Sequence, residues 1–155
     1  MSTRANVVIK DSCDSLWFYR HSDGYPEGTG PALLKFMGWV AEGRIRNSVG
    51  QASGWLIMIG AKEYGTKTKY TGTGFVESEK TNLFEPDPDD KFSGWKVGAF
   101  EPTTGQHGDV DYTYELDLDA LTIKVYDGAL GNRLVDTIEF KEGEQALSGQ
   151  RTLSS

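Results

Sequence analysis

The sequence predicts an α+β fold: an antiparallel β-sheet with an N-terminal hairpin, two consecutive helices packed on one face, and a C-terminal three-strand meander. Three observations predict it. Two short runs rich in β-branched and aromatic residues flank the turn cluster Asp11-Ser12-Cys13-Asp14-Ser15. Apolar residues then recur at helical spacing, at Leu33, Leu34, Met37, Val40 and Ala41, and a nearly continuous apolar stretch follows. Period-two alternation returns from Tyr112 onward, where Tyr112, Tyr114, Leu116 and Leu118 interleave with Thr113, Glu115 and Asp117.

The elements follow in order. Residues 6–10 read as a short, mostly buried strand, and residues 16–21 as its antiparallel partner. Alternation puts Trp17, Tyr19 and His21 on one face and Leu16, Phe18 and Arg20 on the other. Only one face can be core, so one set is available to a ligand or partner. Residues 24–30 read as a loop, with Pro31 opening a helix over about residues 31–43, because a proline costs nothing in the first helical turn. A second helix starts near Ser48, whose spacing to Gln51 fits a capping box. Its body, residues 52–63, is apolar nearly all round, which predicts a buried helix; Gly54 and Gly60 would admit another backbone.

Residues 66–78 suggest a strand or hairpin, residues 85–90 an exposed loop, residues 95–100 a strand, and residues 103–109 a glycine-rich loop holding His107. The meander comprises residues 112–118, 121–125 and 134–140. Residues 1–145 are expected to form a single α+β domain, and residues 146–155 a polar tail.

Composition excludes several classes. The net charge of −7 argues against general nucleic-acid binding. The longest apolar run, residues 55–59, is too short to span a membrane. A lone cysteine, Cys13, and the lack of a signal peptide suggest a cytoplasmic protein. No cofactor or metal is expected: paired-cysteine, zinc-helix and phosphate-loop motifs are missing, and Pro88 interrupts the Asp87, Asp89, Asp90 group. The charge is uneven. Residues 1–50 hold four of the six arginines, and arginine suits fork-like recognition of phosphate or carboxylate.

The densest chemistry lies in Tyr19-Arg20-His21-Ser22-Asp23-Gly24-Tyr25-Pro26-Glu27-Gly28-Thr29-Gly30. Antiparallel pairing of the first hairpin would bring Arg4 beside residues 19–21, so that Arg4, Arg20 and His21 converge on this loop. The loop leads into a helix N-terminus, where free N–H groups favour an anion. Trp17, Tyr19 or Tyr25 would stack on a base, and Asp23 or Glu27 would accept hydrogen bonds from ribose hydroxyls or an exocyclic amine. The candidate ligand-binding residues are therefore Arg4, Trp17, Tyr19, Arg20, His21, Asp23, Tyr25 and Glu27. A purely structural reading stands beside this one, since Asp23-Gly24 and Tyr25-Pro26 are ordinary turn formers.

The only two histidines both occur as His-x-Asp, in His21-Ser22-Asp23 and His107-Gly108-Asp109. Two imidazoles facing one phosphodiester act as general base and general acid without a metal, and each aspartate would orient its imidazole. His21 and His107 are the alternative, catalytic candidates.

The opening Thr3-Arg4-Ala5-Asn6-Val7-Val8-Ile9, taken with Tyr19 to Gly28, resembles a family of small uncharacterised proteins of phage and prokaryotic genomes. That family has a Thr-Arg-(Ser/Ala) start and a Tyr-x-His-x-Asp-Gly-Tyr-Pro loop leading into a helix. The resemblance covers about residues 2–40. It implies a phage protein acting in a host bacterial cytoplasm.

Three functions are expected in descending order. The first is a binding protein that sequesters an anionic, nucleotide-derived immune signal of the host without turnover; replacing Arg4 or Arg20 should then abolish binding and leave folding intact. The second is a metal-independent phosphodiesterase acting on such a signal. The third is an inhibitor module that binds a host protein. The face holding Trp17, Tyr19 and His21 also suits the interface of a homo-oligomer.

Overall fold

A computed structural model describes residues 2–70, 75–79, 88–89, 98–129 and 132–142. The chain runs β1 (Ala5–Lys10), β2 (Ser15–Arg20), α1 (Pro26–Ala41), α2 (Val49–Gly65), β3 (Thr66–Tyr70), β4 (Phe75–Glu79), β5 (Glu101–Thr103), β6 (Tyr112–Asp117), β7 (Thr122–Asp127) and β8 (Arg133–Glu139). A six-stranded sheet has the order β5-β2-β1-β6-β7-β8, and β3 and β4 form a separate hairpin. The α+β class, the N-terminal hairpin, the two consecutive helices and the C-terminal meander are those the pattern predicts. The sheet itself is mixed: β1 and β6 run parallel, with Val7 opposite Tyr114, and the other pairings are antiparallel. Alternation reports which face is buried and is blind to strand direction, so this one pairing was not legible.

The hairpin turn is held locally. Asp11 Oδ1 accepts the N–H groups of Cys13 and Asp14, both at 2.8 Å, and these bonds hold its carboxyl below the usual range, that from Asp14 most strongly. Registration then sorts the side chains. Val7, Phe18, Tyr114 and Val125 share a row on one face and are buried with Leu33, Phe36, Met37, Val40, Ala52 and Leu56 of the helices. Asn6, Val8, Trp17, Tyr19, Thr113 and Glu115 therefore occupy the opposite face, where Trp17 and Tyr19 are half-buried and the other four are buried.

Several elements differ from the pattern's expectation. Helix α1 starts at Pro26, and Pro31 lies inside it. Pro26 satisfies the first-turn rule, Pro31 falls in the second turn, and Tyr25 is extended (φ −68°, ψ 158°), as a residue before proline prefers. Helix α2 is only half-buried: Trp55 and Met58 are 50% and 48% exposed. Of its two glycines, Gly60 admits a neighbour, because a Cβ there would lie 3.1 Å from the Phe100 backbone, whereas nothing approaches Gly54. Of the expected strand over 95–100, residues 98–100 are not in a strand and residues 95–97 lie outside those described; β5 follows at Glu101. The expected polar tail, 146–155, and most of the 85–90 loop also lie outside them. Among the described residues, no helix is long and apolar enough to cross a membrane.

Arg20 ends β2 on the helix side and is only 2% exposed. Its guanidinium forks onto Glu63 of α2 at 3.1 and 2.7 Å, donates to the carbonyls of Ser22 (2.9 Å) and Gly28 (3.4 Å), and lies 5.2 Å from the centroid of the Phe100 ring. Arg20→Ala removes every one of these contacts. It should cost about 3–5 kcal/mol, by analogy with other broken buried ion pairs, read as a lowered urea midpoint; an unchanged midpoint would show that the pair is dispensable.

The Tyr114 hydroxyl, also on the helix side, donates to Gly24 O at 2.6 Å. Burial is the main cause that pushes its phenol far above its ordinary value. The folded state thus holds this proton more tightly than the unfolded chain. Its contribution is complete below the unfolded value of about 10 and fades as the pH rises past it. Tyr114→Phe should cost about 1 kcal/mol at pH 7, the worth of one hydrogen bond. The stabilities of the parent and variant should converge above pH 10; parallel curves would refute this reading.

Candidate functional site

One end of the face opposite the helices carries a compact cluster. Register pairs Ala5 with Arg20, so Arg4 falls beside His21, as the hairpin geometry required. Arg4, Asn6, Tyr19 and the loop before β6 meet there. Tyr19 is its centre. Its hydroxyl is hydrogen-bonded to His21 Nδ1 at 3.1 Å, and its ring stacks on His107 with centroids 4.2 Å apart and planes 18° from parallel. The two histidines, distant in sequence, therefore share one phenol. Burial first, and then the carboxylates of Asp109 and Glu101, raise the Tyr19 pKa against the opposing pull of Arg4.

His107 is positioned by Asn6. The Asn6 amide donates to His107 O at 2.8 Å, and its Oδ1 accepts the His107 N–H at 3.0 Å. This two-bond clamp is fully buried at its Asn6 end, and a further bond of 3.4 Å joins Asn6 to Thr113 Oγ1. Asn6 was absent from the sequence-derived set. Its signal was there: an amide within Asn6-Val7-Val8-Ile9, a strand otherwise apolar until Lys10, must satisfy its hydrogen bonds somewhere.

Arg4 Nη1 binds Asp109 Oδ2 at 2.7 Å, and the Arg4 backbone N–H donates to Asp111 Oδ2 at 3.0 Å. Asp109 therefore serves Arg4, not His107. Asp23 likewise accepts from the Tyr25 hydroxyl at 3.3 Å. Neither aspartate bonds to its own histidine among the described residues, so the expected orienting role for the two His-x-Asp aspartates is absent.

The loop from Asp23 to Gly28 is a structural device. Asp23 adopts φ 57°, its carbonyl accepts from Thr29 Oγ1 at 2.7 Å, and a Cβ on Gly28 would collide with that carbonyl at 2.5 Å. A Cβ on Gly24 would lie 2.9 Å from Ala5 Cβ and from the backbone of Thr3 and Arg4. The close approach these glycines permit is that of their own chain. The start of α1 is likewise occupied: Gly28 and Thr29 both donate to Tyr25 O, and Glu27 sits in the first turn. Arg20 is buried on the helix side, away from Arg4 and His21, and the three do not converge. Of the sequence-derived set, the structure brings together Arg4, Tyr19, His21 and His107. Trp17 neighbours Tyr19 on the face opposite the helices and is half-buried. Tyr25, Asp23 and Glu27 lie elsewhere; Tyr25 is 38% exposed and lines a groove with Tyr112.

Replacing Asn6 with Ala should release the loop. The His107 amide should then exchange with deuterium at least about tenfold faster, since its acceptor, Asn6 Oδ1, is lost. Unchanged protection would mean that Tyr19 stacking alone holds the loop.

Compared with known protein families, with curated proteins and with solved structures, the chain matches none.

Proposed function

We propose that this chain is a phage-type binding protein that sequesters a small anionic, nucleotide-derived signal of host immunity, without turnover, in the bacterial cytoplasm. The observation that carries the reading is the meeting of Arg4, His21 and His107 around Tyr19 on the sheet face opposite the helices. Tyr19 and Trp17 offer aromatic surface for a base. The imidazoles donate to phosphate oxygens, and Arg4 adds a charged fork once the phosphate replaces Asp109. A second reading, metal-independent phosphodiester cleavage, is favoured by the two imidazoles flanking a single phenol.

The protein is incubated with cyclic dinucleotides and cyclic ADP-ribose isomers and filtered; the filtrate is chromatographed, and the retained protein is heated. A compound that leaves the filtrate and returns unchanged on heating supports sequestration. Arg4→Ala should weaken that binding by about tenfold or more, and Asp109→Asn, which frees Arg4, should tighten it. A product that forms in chelator, and is lost in both His21→Ala and His107→Ala, would establish cleavage instead. If every compound passes through, the proposal fails and a protein partner becomes the object of search. Arg20→Ala is uninformative for binding, because Arg20 holds the fold.

A further inference from the structure

On the opposite face at the same end of the sheet lies a groove of about 390 Å³, lined by Thr3, Tyr25, Val110, Asp111, Tyr112, Asp127 and Gly128. This volume is within the range of small-molecule sites. The groove is built on rigid parts. Tyr112 and Asp127 are cross-strand partners of β6 and β7, and Gly128 N–H donates to Asp111 O at 2.8 Å. Gly24, next to Tyr25, is pinned twice: its N–H donates to Thr3 O at 2.9 Å, and its carbonyl accepts the Tyr114 hydroxyl.

The chemistry of the lining is one-sided. Among the described residues it offers two phenol rings, two carboxylates, of which Asp111 also accepts the Arg4 N–H at 3.0 Å, and no cationic side chain. Arg4, the neighbour of Thr3, sends its guanidinium to Asp109. Asp127 is met by Arg133 at 3.3 Å, but that arginine is 76% exposed and the pair is weak. Asp23 and Glu27 add negative field at Tyr25 and raise its phenol pKa, Asp23 most strongly. An anion would be repelled here. A ligand cation would gain the carboxylates by Coulomb attraction and the ring faces by cation–π attraction.

We propose that this groove binds an organic ammonium group, with Asp111 and Asp127 as counter-ions and Tyr25 and Tyr112 as aromatic walls. The site adjoins the Tyr19 cluster through Asp111, whose Oδ2 accepts the Arg4 N–H, but does not depend on the function proposed for that cluster. Arg133 is an internal competitor, which the ligand displaces from Asp127.

The test is an amide chemical-shift titration of the full chain with putrescine and with tetramethylammonium. Uncharged 1,4-butanediol is the control, at equal ionic strength. Saturable shifts at Tyr25, Asp111, Tyr112 and Gly128 are expected with one or both cations and not with the diol. Response to putrescine alone identifies a primary amine as the ligand chemistry, and response to tetramethylammonium alone a quaternary one. Asp127→Asn keeps the shape and should weaken binding about tenfold, Tyr25→Ala should weaken it several-fold, and Arg133→Ala should tighten it. Three results would overturn the proposal: no saturable shift in the millimolar range, an equal response to the diol, or unchanged affinity in Asp127→Asn.

Discussion

Arg20 is the group on which the arrangement of this molecule turns. A guanidinium cannot shed its charge, so burying it demands full compensation. Glu63 supplies the counter-charge from α2, Ser22 and Gly28 supply carbonyls from either side of the loop, and Phe100 supplies a ring face. One side chain thereby ties the end of β2, the start of α1, the later part of α2 and the approach to β5. Glu63 remains about one-third exposed, which lets water share the cost of its own desolvation. The close contact between Gly60 and Phe100 is part of the same junction: with no Cβ on α2 at that point, the strand-bound chain reaches the helix.

With Arg20 committed inward, strand alternation commits Tyr19 and Trp17 outward. The face opposite the helices is then organised at one end by a buried amide. Asn6 satisfies its own hydrogen-bonding groups by gripping the backbone of His107, and in doing so lays an imidazole on Tyr19. A need imposed by burial thus produces a cluster with the composition of a binding site. The parallel pairing of β1 and β6 contributes as well. It runs the loop before β6 past the start of β1, where Asp109 and Asp111 meet Arg4.

The electrostatics divide this end of the sheet into two unlike regions. On the face opposite the helices a guanidinium and two imidazoles gather round a phenol, tempered by Asp109 and Glu101. On the helix face the groove carries two carboxylates and two phenols among its described lining residues, with Arg133 paired to Asp127. The net charge of −7 averages over this contrast. A strand has two faces 180° apart, so neighbours in sequence such as Thr3 and Arg4 serve opposite chemistries.

Local pattern alone determined much of this protein. The hairpin of β1 and β2, the helices and the meander follow from periodicities of 2.0 and 3.6, and these act over a few residues. The placement of Arg4 beside His21 followed too, because a tight hairpin dictates its own register. The importance of Tyr19, His21 and His107 was visible as residue types, but not their meeting at one phenol. Tertiary structure decided the rest. Whether β1 lies parallel or antiparallel to β6 depends on contacts more than 100 residues apart, to which alternation is indifferent. Whether Arg20 serves a ligand or the core depended on which strand face the helices covered, and hydrophobicity favoured the face bearing Phe18. The glycines of the loop advertised close approach in the sequence; only the folded chain showed that what approaches is the chain itself.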